Sequence, residues 1–184
     1  MVTNLIVSGS DDGIIGIWSS ETGQNQHFFS AHSGSVQRLA STGYDGLVQL
    51  WDLKTGDLRG PLRGHQDWVR HASFSPQGSL LASASDDRTI RVWDISLDGV
   101  EIESAKKVLQ GHQGYVRFTA WSADKGHMAS CSGDGTICIW DAGEFSLKHN
   151  LKDKNSASPN SITFRSYTSQ IVCAAYDDIE YMGL

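Results

Sequence analysis

SASDDRTIRVWD occupies residues 83–94, and close variants of it stand at three other places: SGSDDGIIGIWS at 8–19, STGYDGLVQLWD at 41–52 and SCSGDGTICIWD at 130–141. Each has Ser first, Asp fifth and Trp eleventh. The units begin at residues 8, 41, 83 and 130, spacings of 33, 42 and 47. Periods of about 40–45 residues with strand signals mark a propeller-type array, in which one repeat is one supersecondary unit.

The third repeat shows what a unit contains. WVRHASFS (68–75), SLLASAS (79–85), RTIRVWDI (88–95) and AKKVLQ (105–110) each read as a short strand, punctuated by SPQG, DDR and DG turns. YVRFTAWS, HMASCS, GTICIWD and FSLKHNLK repeat the pattern in the fourth. Four short antiparallel strands per repeat make one propeller blade. Strand Thr89–Trp93 is apolar on both sides of the pleat, as a sheet packed on both faces requires. A single blade cannot cover its own faces, so stability must come from stacking.

Gly64-His65 and Gly111-His112 precede the motif, each His standing 28 positions before its Trp, and Ala31-His32 takes the same place in the second repeat. On these residues, with the Trp-Asp pairs at 51–52, 93–94 and 140–141, the sequence resembles the WD-repeat β-propeller family. The resemblance is strong over residues 5–141 and weak beyond. It implies a buried hydrogen-bonded tetrad per blade: His65, Ser83, Asp87 and Trp93 in one, His112, Ser130, Asp134 and Trp140 in the next. The donor inventory fits, since indole N–H only donates, carboxylate only accepts, and hydroxyl and neutral imidazole do both.

The same inventory also spells a hydrolase triad. A catalytic Ser needs one exposed, activated site with an oxyanion hole, whereas this trio repeats with a Trp donating into it. The structural reading prevails, and no enzyme is expected. No cofactor or metal site is expected either. The Asp-Gly pairs do not continue into an EF-hand loop ending in Glu, and no GxxxxGK[ST] phosphate loop is present. They read as tight turns.

The pattern fails in three places. His32 to Trp51 is only 19 positions, so the second blade is expected to be three-stranded or distorted. The first repeat retains Ser8, Asp12 and Trp18 but lacks the His and the innermost strand. The stretch 160–184 reads as a worn fifth repeat without a tetrad, held by packing alone, after a polar loop over 151–161 expected to be poorly placed. The expected fold is therefore all-β: one partial propeller over 1–184, of about four to five blades, one shortened and incomplete at both ends. A seven-bladed ring needs roughly 300 residues, so the chain reads as a fragment, a truncated gene product or part of an assembly, with a strained five-bladed closure as the alternative. Its open blade faces invite self-association.

Composition limits the function. The 184 residues carry a net charge of −6, with 21 acidic against 15 basic side chains, which disfavours nucleic acid as a partner. No apolar run approaches the ~18 residues of a membrane span. Three cysteines without CxxC spacing suit buried free thiols in a reducing compartment, cytoplasmic or nuclear. The resemblance implies a non-catalytic scaffold that binds a protein or peptide on one propeller face. The family's contact positions fall on Trp68 and Arg70, Tyr115 and Arg117, Ser35 and Gln37, and on Asp11, Tyr44, Asp86 and Gly133 in the turns. Trp, Tyr and Arg are the residue types enriched at binding hot spots. Two aromatic–Arg pairs side by side suit an acidic segment. The competing reading has the rings shielding blade edges and the arginines paired with Asp86 and its like. At family level the regular repeats are also similar to those of fungal NACHT-type signalling proteins, in which the propeller resembles a sensor. The alternative to an interaction module is a structural remnant of a larger signalling protein with no independent activity.

Overall fold

In a computed structural model of the chain, residues 5–9, 15–19, 38–52, 56–95, 104–152, 158–165, 170–175 and 179–183 are described. They fall into two compact units, one of residues 1–39 with 51–57, the other of 40–50 with 58–184. All elements among the described residues are strands, and all pairings with a defined register are antiparallel.

In the first unit β1 (Leu5–Gly9) and β2 (Ile15–Ser19) form a two-stranded sheet, Ile6 opposite Trp18 and Ser8 opposite Gly16. The shortened repeat gives a three-stranded sheet in the order β3 (Arg38–Thr42), β4 (Val48–Asp52), β5 (Leu58–Leu62). Two complete four-stranded blades follow. The first is β6 (Val69–Phe74), β7 (Leu80–Ser85), β8 (Thr89–Asp94) and β9 (Lys107–Gln110). The second is β10 (Val116–Trp121), β11 (His127–Ser132), β12 (Thr136–Asp141) and β13 (Leu147–Lys152). The worn repeat forms a three-stranded sheet of β14 (Pro159–Phe164), β15 (Gln170–Ala175) and β16 (Ile179–Gly183). The polar stretch 151–161 differs from its reading as a loop at both ends, because Leu151–Lys152 complete β13 and Pro159 opens β14; residues 153–157 lie outside the described residues.

Alternation along the third strand of each blade divides its side chains between two seams. On β8, Ile90 and Val92 join Ala82, Ala84 and Leu109 against Val116, Met128, Cys138 and Trp140 of the next blade. Trp93, on the opposite face, packs with Leu81, Val69 and Ile95 against Val48, Leu50 and Leu62. On β12, Ile137 and Ile139 meet Ile162, Ile171 and Cys173 of the last sheet, so that sheet is packed into the stack although its sequence has Ala174 at the Ser position and Leu184 at the Trp position. Both faces of a complete blade are thus dry, which explains why apolar residues do not simply alternate with polar ones. The three cysteines are buried and form no disulfide, and burial pushes the Cys131 and Cys138 thiols up to about 12.

The tight turns ahead of the third strands place Gly46 at φ 77° and Gly135 at φ 80°. In the turn between β7 and β8 that left-handed position is held by Arg88, at φ 69°, a conformation that costs an L side chain about 1–2 kcal/mol.

Replacing Trp93 by Ala removes the largest side chain of its seam, which is wholly inaccessible to solvent. Stability should fall by about 3–5 kcal/mol, as for other large core truncations, measured as a shift in the denaturant midpoint of the full chain.

Candidate functional site

Two constellations need to be distinguished: the buried polar networks and an exposed row of aromatic and guanidinium groups.

In the first complete blade the Ser83 hydroxyl is the hub. Trp93 Nε1 donates to it at 2.9 Å, and it lies 2.7 Å from His65 Nε2. His65 Nδ1 stands 2.7 Å from Asp87 Oδ2. An indole can only donate and an ionised carboxylate only accept, which sets the direction of the whole chain. Trp93 gives to Ser83, Ser83 to His65 Nε2, and His65 carries its proton on Nδ1 for Asp87. In the next blade Trp140 donates to Ser130 at 2.9 Å and Ser130 lies 2.7 Å from His112 Nε2. There the ring reaches its carboxylate indirectly: His112 Nδ1 is 2.9 Å from Thr136 Oγ1 and 3.7 Å from Asp134. Thr136 passes the bond on to Asp134 at 2.6 Å.

Threonine is the member that the four-residue description misses. Thr89 donates both its hydroxyl and its backbone N–H to Asp87, as Thr136 does to Asp134. A signal for it exists, since Thr stands two residues after the Asp in both complete repeats, where the incomplete ones have Ile14 and Leu47. Burial alone would raise both carboxyls. Hydrogen bonds from His65 and Thr89 hold Asp87 well below the usual range, and those from Thr136 and the Gln113 amide hold Asp134 at about 2. Burial lowers His112 against the opposing pull of Asp134. Ser83 and Ser130 are wholly buried, with the oxygen taken by an indole and the proton by an imidazole. Neither is available as a nucleophile. Of the incomplete repeats, Asp12 and His32 lie outside the described residues, while Asp45 accepts the Leu47 amide at 3.0 Å inside its own turn.

The exposed row arises from a backbone irregularity. The register of β6 on β7 shifts between Val69 and His71, that of β10 on β11 between Val116 and Phe118, and that of β14 on β15 between Pro159 and Ser161. The skipped residues are Arg70, Arg117 and Asn160. A bulge bends its strand and re-aims the extra side chain, so three neighbouring sheets each displace a polar side chain at the same point of the first strand, Arg70 exposed and Arg117 and Asn160 half-buried. The Arg70 guanidinium lies 5.9 Å from the Trp68 ring and 5.0 Å from the Tyr115 ring; that of Arg117 lies 5.0 Å from Tyr115 on its own strand. Tyr44 continues the row, its ring 4.2 Å from Trp68 at 52°. Exposures of 72% for Tyr44, 43% for Trp68 and 37% for Tyr115 mark them as large apolar groups that the fold leaves in solvent.

The two arginines differ in their partners. Arg70 sets Nε and Nη2 on the two oxygens of Asp86, the latter bond 2.7 Å long. Arg117 donates to the Tyr115 hydroxyl at 2.7 Å, to the carbonyls of Ser158 and Pro159 at 3.4 Å, and to Asn160 Oδ1. Gly133 lies beneath the Tyr115 ring, so closely that a methyl added there would be 2.3 Å from it. Of the other expected contact positions, Asp11, Ser35 and Gln37 lie outside the described residues.

The WD domain, G-beta repeat family matches residues 23–52, 56–94 and 103–141, more than half of the chain. The chain belongs to this WD-repeat family. Such repeats serve generally as scaffolds for protein–protein interaction. Among curated proteins the chain is 48% identical over 68 residues to WD repeat and SOCS box-containing protein 1 of Danio rerio, covering 36% of this chain and 16% of that one. It is 42% identical over 67 residues to nuclear distribution protein PAC1 of Tuber melanosporum, covering 36% and 15%. With apoptotic protease-activating factor 1 of Rattus norvegicus the identity is 31% over 100 residues, covering 50% and 8%. The aligned part is well under half of each relative's own length.

The polar seams make stability depend on pH. His71, stacked on Phe118 at 3.5 Å with its Nδ1 3.4 Å from the Thr119 amide, is held by burial at about 4, below its ordinary 6.5. A depressed imidazole means that the unfolded chain takes up the proton first. Stability is therefore complete above pH 6.5 and lost as pH falls to about 4, by about 3 kcal/mol for His71 alone at 1.36 kcal/mol per unit. His112 adds to the loss in the same direction, and Asp134 extends it from about 3.8 towards 2. Denaturant midpoints measured from pH 7 to 4 should fall steeply for the native chain and less for His71→Gln; equal slopes would contradict the placement of His71. Ser83→Ala strands both the Trp93 N–H and His65 Nε2 and should cost about 1–3 kcal/mol at neutral pH, read by equilibrium unfolding.

Proposed function

We propose that the chain is a non-catalytic interaction module that holds a segment of another protein on the face carrying Tyr44, Trp68, Arg70, Tyr115 and Arg117. The observation that carries this reading is the exposed row itself. From Trp68 onward aromatic and guanidinium groups alternate across neighbouring blades, and each side chain of the row contacts the next before any partner arrives. Ordering these side chains in advance reduces the entropy lost on binding. Tyr, Trp and Arg are also the residue types that dominate binding energy at interfaces.

The wholly buried Ser83 and Ser130 support the non-catalytic part of the proposal. Among the described residues no group of acidic, His and Cys side chains is arranged to hold a metal, and no helix is long and apolar enough to cross a membrane. Three buried thiols suit a reducing setting, so the proposal places the chain in the cytoplasm or nucleus.

The test compares the native chain with the double variant Tyr44→Ala/Trp68→Ala. Tyr44 is largely solvated and Trp68 is 43% exposed, so the melting temperature should change by only a few degrees. Proteins retained from a cell extract by the native chain should be lost from the variant. Retention of the same set by both would remove this face as the binding surface.

A further inference from the structure

The two arginines of the row occupy equivalent bulges, yet only one has an acid. Asp86 stands directly before the tetrad residue Asp87 and fills the side-on fork of Arg70. The equivalent place before Asp134 is Gly133, and the Tyr115 ring lies over it. Arg117 consequently meets only neutral acceptors: a phenol, two carbonyls and an amide oxygen. Among the described residues no carboxylate lies within ion-pairing distance of Arg117, and its Nε makes no hydrogen bond. The row therefore has two unlike ends. At Tyr44, Trp68 and the Arg70–Asp86 pair it is apolar and electrically neutral. At Tyr115 and Arg117 it carries an uncompensated cation, on a chain whose net charge is −6.

We propose that the partner is an extended acidic segment whose Asp or Glu side chain docks on Arg117, supplying from outside the carboxylate that Asp86 supplies to Arg70, with an apolar side chain of the same segment on Tyr44 and Trp68. This rests on the interaction reading above and sharpens it by assigning the charge to one arginine. Charge complementarity favours this occupant, since a guanidinium already oriented by neutral acceptors forms a charge-assisted pair at little further ordering cost. The steps from Trp68 to Arg70, to Tyr115 and to Arg117 are 5.9, 5.0 and 5.0 Å. At about 3.3 Å per residue of extended chain, the acid and the apolar anchor stand about five residues apart at most. A symmetric grip by both arginines would require Arg70 to give up Asp86.

The test pans a randomised peptide library against the full chain and measures selected peptides by fluorescence anisotropy. Selected sequences should pair an acid with an apolar residue at that spacing. Changing the acid to its amide in the peptide should weaken binding to the native chain about tenfold, with the protein untouched and its folding not in question. The same change should cost about tenfold on the Arg70→Gln/Asp86→Asn variant but less than about twofold on Arg117→Gln. If the amide binds the native chain as well as the acid does, or if the acid preference is lost with Arg70 and kept without Arg117, the assignment to Arg117 is overturned while the binding face stands. If no selected peptide depends on Trp68, the interaction reading itself fails, and this inference with it.

Discussion

A tryptophan indole placed between two dry sheets must find an acceptor for its N–H, and much of this structure follows from how that acceptor is provided. Trp93 and Trp140 are almost completely buried. An unsatisfied donor at such a site would cost about 1–3 kcal/mol, and a hydroxyl is the smallest group that can accept the bond and also pass one on. Ser83 and Ser130 do this, each handing its proton to a histidine held by a carboxylate and a threonine. The chain of bonds ties the third strand to the second, and both to the loop that enters the first. It fixes blade geometry where apolar packing alone would allow sliding.

The last sheet shows what remains without that device. Its sequence lacks the Ser and Trp of the tetrad, yet Ile162, Ile171 and Cys173 are buried against Ala129, Cys131, Ile137 and Ile139. Apolar area suffices to bind a sheet into the stack, in keeping with the non-directional nature of the hydrophobic effect. The polar network adds register and orientation. Since each seam is shared by two blades, a change in one strand is felt by its neighbour as well.

Under the proposed reading, stability and recognition are served by different residues of the same strand. On β6, Val69 is buried while Arg70, the next residue, is displaced by the bulge and lies between aromatic rings. The groups that would meet a partner are therefore not those that close the seams. If these positions meet a partner, as proposed, recognition can vary there while the tetrads stay unchanged, in line with the general separation of fold from function. The exchange of Asp86 for Gly133 between adjacent blades is one such change, and it alters the charge of the surface without altering the sheet beneath it.

Repeat spacing and local pattern determined the all-β repeat architecture and the four strands of each complete repeat, because these depend on short-range periodicity, while the tetrad of His, Ser, Asp and Trp came from the resemblance those intervals carry. The nine-residue deficit between His32 and Trp51 goes with the three strands found among the described residues of that repeat. The role of Thr89 and Thr136 was legible only as an unexplained recurrence. Tertiary structure alone decided the rest. The bulges at Arg70, Arg117 and Asn160 come from register, which composition does not encode, and the Tyr44–Trp68 and Arg70–Tyr115 contacts join residues brought together by blade stacking. The difference between the two arginines was half legible, in Asp86 against Gly133 before the tetrad Asp; that Asp86 reaches the Arg70 guanidinium, and that no carboxylate among the described residues pairs with Arg117, depended on packing.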